Sequence, residues 1–191
     1  MTKLIKIREE VEIPKGITFT LTGKVATAKG KLGLITKDFN HARSLAITQE
    51  GAKIILEADY PKKEQVALAG TLRNIINNMC LGVSEGYTYK MKICFSHFPI
   101  TVENSKDGKS ILIKNYAGER SPRIIPAKAA VKVNPTKDDV ILTSSDKEAI
   151  GNLAGKIQRV CRTLNKDKRV FQDGIYIYEK SVGQKIFWQI K

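Results

Sequence analysis

The chain has 191 residues, a mass of 21.3 kDa and 42% hydrophobic residues, which is enough for one ordinary domain or two small ones and excludes wholesale disorder. Lys and Arg total 33 against 19 Asp and Glu, so the formal net charge is +14. Because such an excess repels itself in the free protein, we expect a polyanionic partner, most commonly nucleic acid.

Other classes are excluded by what the sequence lacks. Residues 1–12 carry a charge every few positions, unlike the apolar stretch of a signal peptide, and no run approaches the ~18 apolar residues of a membrane span. Cys80, Cys94 and Cys161 are odd in number and widely spaced, which predicts neither a disulfide framework nor a zinc site. We therefore expect no membrane association, no cofactor and a reducing, cytoplasmic location.

The first half predicts short strands followed by one helix. β-rich segments separated by Pro and Gly give strands at residues 11–13, 17–21, 24–27, 45–48 and 53–57, with a turn at 30–33 and a hairpin at 50–52. The Asp59-Tyr60-Pro61 segment predicts a helix start, and the helix should run to about Cys80.

The second half repeats this order. Strands are predicted at residues 100–102, 111–114, 123–125, 130–133 and 140–143, with a hairpin at 106–108. The spacing of Ser145 and Glu148 is typical of a capping box, so a second helix should run from there to about Leu164.

Three short matches relate the halves at nearly one offset. Leu68-Ala69-Gly70 recurs as Leu153-Ala154-Gly155, Ile54-Ile55-Leu56 corresponds to Val140-Ile141-Leu142, and Gly86-Tyr87 to Gly174-Ile175. They indicate an internal duplication; chance similarity of two strand–helix–strand units is the alternative. Either way we predict an α+β protein of two tandem similar domains, each a small, mostly antiparallel sheet packed by one main helix. We place them at residues 1–82 and 83–180, followed by a tail at 181–191.

The two predicted helices differ in charge. On a helical wheel, the second helix has one apolar face (Ile150, Leu153, Ile157, Val160, Cys161 and Leu164) and an opposite cationic face (Lys156, Arg159, Arg162 and Lys166). The outer face of the first helix carries Thr71, Asn74, Asn77 and Asn78, with Arg73 nearby. Residues 1–86 hold 13 basic and 9 acidic residues, whereas residues 87–191 hold 20 and 10. We therefore predict that the second half makes the tighter phosphate contacts, against the alternative of an ordinary solvated surface.

No catalytic pattern is recognisable. His41 and His97 are not spaced as metal ligands, and Gly30-Lys31 is followed by Leu32 where a phosphate-binding loop needs Ser or Thr. Tyr87 and Tyr89 beside Lys90 fit half-buried strand positions better than a platform for stacking bases, and His97 lies either in a structural turn or at an RNA contact. We expect no enzymatic activity.

Longer motifs resemble one family. The segments GVSEGYTYKM at 82–91 and SHFPI at 96–100, NKDKRVFQDGIYI at 165–177 and IPKGI at 13–17 are similar to those of large-subunit ribosomal protein family six, which is numbered nine in eukaryotes. The resemblance spans roughly residues 5–182, and its Tyr-x-Tyr-Lys-Met and His-Phe-Pro-Ile forms point to the eukaryotic and archaeal branch.

The resemblance implies a structural, non-catalytic constituent of the cytosolic large ribosomal subunit. It implies binding to large-subunit ribosomal RNA near the sarcin–ricin loop and the stalk base, with neighbouring ribosomal proteins as further partners. It also implies that the protein forms no homo-oligomer and, in a eukaryote, is assembled into the subunit in the nucleus or nucleolus. The predicted RNA-binding residues are Lys156, Arg159, Arg162, Lys166, Lys168, Arg169, Asp173, Gly174, Lys90 and His97. We assign Phe171 to the core and expect Gly174 to permit a turn.

The chain departs from the family at three places. Gly30-Lys31-Leu32-Gly33 stands where the family has Gly-Pro-basic-Gly. Lys168 stands where the family often has an aliphatic residue, and Val170 where it often has a basic one. The tail from Ser181 matches no family pattern. The alternatives are a free double-domain RNA-binding or chaperone protein, an RNA-modifying enzyme without recognisable motifs, and a scaffold for acidic proteins.

Overall fold

The structure is a computed structural model that describes residues 5–127, 130–164, 166–167 and 169–190. The chain divides into two units, residues 1–85 and 86–191, a division three residues after the boundary placed from sequence. Each unit has its own hydrophobic core and one main helix, which confirms the predicted α+β class.

The first unit is built from short strands and a long helix. Its elements are β1 (Lys6–Glu12), β2 (Thr18–Thr22), β3 (Val25–Gly30), β4 (Gly33–Asp38), β5 (Ala46–Glu50), β6 (Lys53–Asp59) and α1 (Lys63–Ser84). They form two antiparallel three-stranded sheets, in the orders β1-β6-β5 and β2-β3-β4. The predicted hairpin at 50–52 joins β5 to β6, and Gly51 adopts a φ of +59° that its turn requires.

Helix α1 packs its apolar stripe into the core of the first unit. The stripe follows the helical repeat through Ala69, Leu72, Ile76, Met79 and Val83, and each is at most 3% exposed. Burying one such leucine stabilises the fold by about 1.5–3 kcal/mol. Because Val83 continues the stripe, the helix extends to Ser84, one turn beyond the predicted end.

The second unit has the same ingredients and a larger sheet. Its elements are β7 (Tyr87–Cys94), β8 (Thr101–Asn104), β9 (Ser110–Lys114), a 3₁₀ turn (Tyr116–Gly118), β10 (Arg123–Pro126), β11 (Lys132–Pro135), β12 (Asp139–Ser144), α2 (Lys147–Val160), β13 (Gly174–Val182) and β14 (Lys185–Gln189). The sheets have the orders β11-β12-β7-β13-β14 and β10-β9-β8, and all of their pairings are antiparallel.

The order of elements repeats between the units. The three-stranded sheet β1-β6-β5 corresponds to the β7-β12-β11 part of the larger sheet, and β2-β3-β4 corresponds to β8-β9-β10. The matched alanines Ala69 and Ala154 are both fully buried, while Gly70 and Gly155 both face open space. Because topology, helix position and packing agree at the matched segments, the structure favours duplication over chance similarity.

The segment treated from sequence as a tail contains regular structure. β13 runs to Val182, and β14 pairs with it across a two-residue connection at positions 183–184. An irregularity in this pairing leaves Lys180 opposite Trp188 and Ser181 opposite Ile186. Lys180 Nζ lies 4.6 Å from the centre of the Trp188 ring, so this aromatic residue packs on its own hairpin.

Candidate nucleic-acid interface

Helix α2 separates an apolar face from a cationic one. Ile150, Leu153 and Ile157 are at most 4% exposed, whereas Lys156 and Arg159 are exposed. The Asp146 carboxylate accepts a hydrogen bond from the Glu148 N–H at 3.0 Å, so Asp146 and not the predicted Ser145 caps the helix. The predicted amphipathic pattern is therefore present from the start of the helix to Val160.

The end of α2 differs from the sequence expectation. The helix ends at Val160, with Cys161 as its C-cap, and not near Leu164. Arg162, Leu164 and Lys166 consequently lie on the segment after the helix, and Leu164 is 70% exposed and does not continue the apolar face. Arg162 and Lys166 are exposed, so this segment extends the cationic surface beyond the helix.

A buried tyrosine explains why the helix stops there. The Tyr116 hydroxyl donates to the Cys161 carbonyl at 2.7 Å, and Tyr116 is 3% exposed. The Arg123 guanidinium lies 4.0 Å above the Tyr116 ring, donates to the Val160 carbonyl and pairs with Glu119. Side chains from the 3₁₀ turn and from β10 thus satisfy the carbonyls of Val160 and of the C-cap Cys161, and the helix ends there.

The same tyrosine connects the helix end to β13. The Asp173 carbonyl lies 3.3 Å from the Tyr116 hydroxyl and accepts a hydrogen bond from Thr163 Oγ1 at 3.1 Å. The Asp173 carboxylate accepts from the Ser96 N–H at 2.6 Å. These bonds fix both ends of the segment at residues 162–173, which carries half of the predicted RNA-binding residues.

Burial in this region changes the chemistry of two side chains. It raises the pKa of the Tyr116 hydroxyl, and it raises the pKa of the Cys161 thiol to about 12. Both groups therefore stay protonated and neutral at physiological pH, which suits a structural hydrogen-bond network.

The cations of this surface differ in their pairing. Lys156, Arg159 and Arg162 form no ion pair within the part of the chain that the structure describes. Arg169 pairs with Asp167 at 3.0 Å, and hydrogen bonds from Arg169 lower the pKa of that carboxyl. Three cations on and just after α2 are therefore available to an external anion, whereas Arg169 has a carboxylate beside it.

Helix α1 provides an internal comparison. The cation near its outer face, Arg73, pairs with Glu9 at 3.0 Å. Among the described residues of the first unit, five further ionic contacts join Lys6, Arg8 and Lys53 to neighbouring carboxylates of strands β1 and β6. The cation beside the outer face of α1 is therefore paired within the unit, unlike Lys156 and Arg159 on α2.

The remaining predicted site residues take different positions. Lys90 pairs with Glu179 at 2.9 Å, which raises the pKa of Lys90, and Glu179 is only 8% exposed. His97 is exposed, as an RNA contact requires. Asp173 is 6% exposed and bonded within the unit, so its carboxylate is not presented to a partner. Lys168 lies outside the described residues.

Two expectations about the second motif are corrected. Phe171 is half-buried and lies outside the core cluster, with Lys166 Nζ 4.7 Å from its ring centre. Gly174 begins β13 without a positive φ; its small size matters because a Cβ there would lie 2.7 Å from the Tyr176 ring. Gly174 thus leaves room for the far end of the Tyr176 side chain and does not form a turn of positive φ.

A cavity of about 550 Å³ opens beside this motif. Gln158 of α2, Arg162, Phe171, Gln172, Tyr176 and Cys94 line it. Sequence reasoning missed Gln158, Gln172 and Cys94, because they come together only through the pairing of β7 with β13 and the turn after α2. The only feature of the sequence that pointed to this cavity was the motif at 165–177, which contains Phe171 and Gln172.

The departure at the Gly30–Gly33 turn has a local explanation. The Leu32 N–H donates to the Val83 carbonyl at 3.1 Å, and a Cβ on Gly30 would lie 2.6 Å from that oxygen. Leu32 itself is 54% exposed. The turn is therefore fixed against the end of α1 by its backbone, whichever side chain occupies position 32.

Two structural features are absent from the described residues. No helix there is both long and apolar enough to cross a membrane. No group of three or more His, Cys, Asp or Glu side chains in the same residues could hold a metal ion.

Comparison with known proteins identifies the family. The model of the family described as "Ribosomal protein L6" matches residues 13–86, which is most of the first unit. A protein of Desulfurococcus amylolyticus named "Large ribosomal subunit protein uL6" is 43% identical over 180 residues, covering 94% of this chain and 98% of the relative. A protein of the same name from Staphylothermus marinus is 41% identical, covering 94% of this chain and 97% of the relative. Another from Aeropyrum pernix is 38% identical, covering 95% of this chain and 99% of the relative.

These similarities extend across both units and confirm the resemblance found from the motifs. The family is a structural, non-enzymatic one, which agrees with the expectation that the chain has no catalytic activity. The chain belongs to the ribosomal protein L6 family, in its archaeal and eukaryotic branch.

Proposed function

We propose that this protein is a constituent of the large ribosomal subunit and that it binds large-subunit ribosomal RNA, chiefly through its second unit. Family membership supports the ribosomal assignment. The observation that carries the RNA-binding assignment is the surface formed by Lys156, Arg159 and Arg162, which is exposed and has no carboxylate partner among the described residues.

We propose that the contact lies near the sarcin–ricin loop and the stalk base, with neighbouring large-subunit proteins as further partners. Support for this placement comes from the family motifs at 82–100 and 165–177. Lys166, Arg169 and His97 are exposed in the second unit and extend the proposed RNA-binding surface. The protein would act in the cytoplasm as part of the ribosome, with assembly in the nucleus or nucleolus if its source is eukaryotic.

The proposed mechanism is electrostatic. Cations on a folded scaffold neutralise phosphates at junctions of folded RNA and hold the junctions in one geometry. The network around Tyr116 contributes by fixing the segment that follows α2, so the cations lose little conformational freedom on binding. With ~6–10 phosphate contacts, affinity should fall ~10³–10⁵-fold between about 50 and 200 mM salt.

The proposal is tested by sedimentation of the tagged full chain from a cell lysate, before and after magnesium is removed to separate the subunits. Co-migration with the large subunit in both conditions is the expected result. Migration at the top of the gradient together with other RNA would contradict the ribosomal assignment and favour a free RNA-binding protein.

A further inference from the structure

The cavity beside the 165–177 motif combines three kinds of side chain on one surface. Phe171 and Tyr176 contribute aromatic rings, Gln158 and Gln172 contribute amides, and Arg162 contributes a cation that has no ion pair among the described residues. A volume of about 550 Å³ falls within the range of sites that hold small organic ligands. The lining is therefore suited to a ligand with a flat ring, hydrogen-bonding edges and a negative charge.

A single nucleotide has all three properties. Unstacked RNA bases stack on aromatic side chains and are read along their edges by amides, while a guanidinium binds the phosphate. We propose that this cavity receives one unstacked nucleotide of the ribosomal RNA, with its base against Phe171 or Tyr176 and its phosphate at Arg162. This inference rests on the proposed function and adds a base-binding site to a surface otherwise argued from charge.

The position of the cavity favours RNA over a free metabolite. Arg162 belongs both to the cavity lining and to the unpaired cations proposed to follow the phosphate backbone. Lys166 lies 4.7 Å from the ring of Phe171, which places a second cation beside the proposed base site. A strand held by the neighbouring cations would therefore pass the mouth of the cavity.

Gly174 keeps the cavity in its observed shape. A Cβ at position 174 would lie 2.7 Å from the Cζ and Oη atoms of Tyr176, so the aromatic ring rests directly on the glycine. The Tyr176 hydroxyl also lies 3.4 Å from the Asp173 carbonyl, to which it donates a weak hydrogen bond. Substitution of Gly174 would displace the end of the Tyr176 side chain and so change the wall against which a base would stack.

The first test uses large subunits purified with the tagged full chain. Ultraviolet irradiation forms zero-length cross-links between bases and side chains in contact, and mass spectrometry locates the modified peptide. We expect a nucleotide attached at Phe171, Tyr176 or Cys94. Cross-links found elsewhere in the second unit, with all three cavity residues unmodified, would overturn the inference while leaving the proposed function standing.

The second test separates stacking from charge. Phe171→Ala should weaken binding to protein-depleted large-subunit ribosomal RNA by roughly 5-fold or more, as loss of base stacking does, without changing the slope of affinity against salt. Phe187→Ala, which removes a 45% exposed aromatic residue from β14, is the matched control and should leave affinity unchanged. Circular dichroism checks that both variants are folded.

Gly174→Ala provides an independent variant whose lining side chains are all retained. It should weaken binding in the same salt-independent way, because only the position of Tyr176 changes. Equal affinities for the unmodified chain, Phe171→Ala and Gly174→Ala would exclude a base in the cavity. Failure of the unmodified chain to bind the RNA or to sediment with large subunits would instead contradict the proposed function itself.

Discussion

Neutralising the cationic surface of α2 should change the salt dependence of RNA binding by a calculable amount. The perturbation is the triple variant Lys156→Gln, Arg159→Gln and Arg162→Gln. Each phosphate contact contributes about 0.9 to the slope of log affinity against log salt, so losing three lowers the slope by about 2.7. Between 50 and 200 mM salt, the affinity of the triple variant should therefore fall by a factor roughly 40-fold smaller than the affinity of the unmodified chain.

The matched control removes the same charge from the first unit. Lys15, Lys62 and Lys63 are exposed and form no ion pair within the described ranges, so their triple change to Gln alters net charge equally. The assay is filter binding of each full-length variant to protein-depleted large-subunit ribosomal RNA at several KCl concentrations. We expect a slope close to that of the unmodified chain for the control. Equal slopes for the two triple variants would refute the assignment of the RNA contact to the second unit.

Three further predictions concern stability and are measured by urea unfolding. Tyr116→Phe should lower the free energy of unfolding by about 1–3 kcal/mol, because the carbonyl that follows α2 loses its buried donor; an unchanged midpoint would contradict the network. Lys90→Met should lower the free energy of unfolding by about 1–3 kcal/mol, because it leaves the buried Glu179 carboxylate unpaired. The dependence of RNA affinity on salt should not change. A smaller slope would instead identify Lys90 as a phosphate contact. Gly30→Ala should lower the free energy of unfolding by about 1–3 kcal/mol, because the added Cβ overlaps a backbone carbonyl of α1. Gly70→Ala, whose Cβ meets open space on α1, should raise it by about 0.5–1 kcal/mol. Equal effects of the two substitutions would contradict the packing.

Much of the fold could be predicted because it depends on local patterns. Hydrophobic alternation predicted many of the strands, although not β4 or β14. Glycine turns predicted both hairpins, and the helical repeat predicted the buried face of α2. The end of α2 could not be found this way, since an apolar residue at position 164 continues the pattern while Tyr116 and Arg123, distant in sequence, end the helix. Tertiary hydrogen bonds here override local periodicity.

The candidate site shows the same division. The exposed cations Lys156 and Arg159 follow from the helical wheel, whereas the burial of Asp173 and the pairing of Lys90 with Glu179 depend on which strands become neighbours. The role of Gly174 was expected from the freedom of glycine, but the structure attributes it to the aromatic ring that packs on it. Contacts between different elements cannot be predicted from the spacing of residues within one segment.

The most direct test of the central claim is lysine acetylation followed by mass spectrometry, comparing the free full-length chain with the same chain in purified large subunits. Lys156 and Lys166 should react at least about tenfold more slowly in the subunit, because phosphates would cover them, whereas Lys15 and Lys62 should react at similar rates in both states. Unchanged reactivity at Lys156 and Lys166, with protection confined to the first unit, would contradict the account.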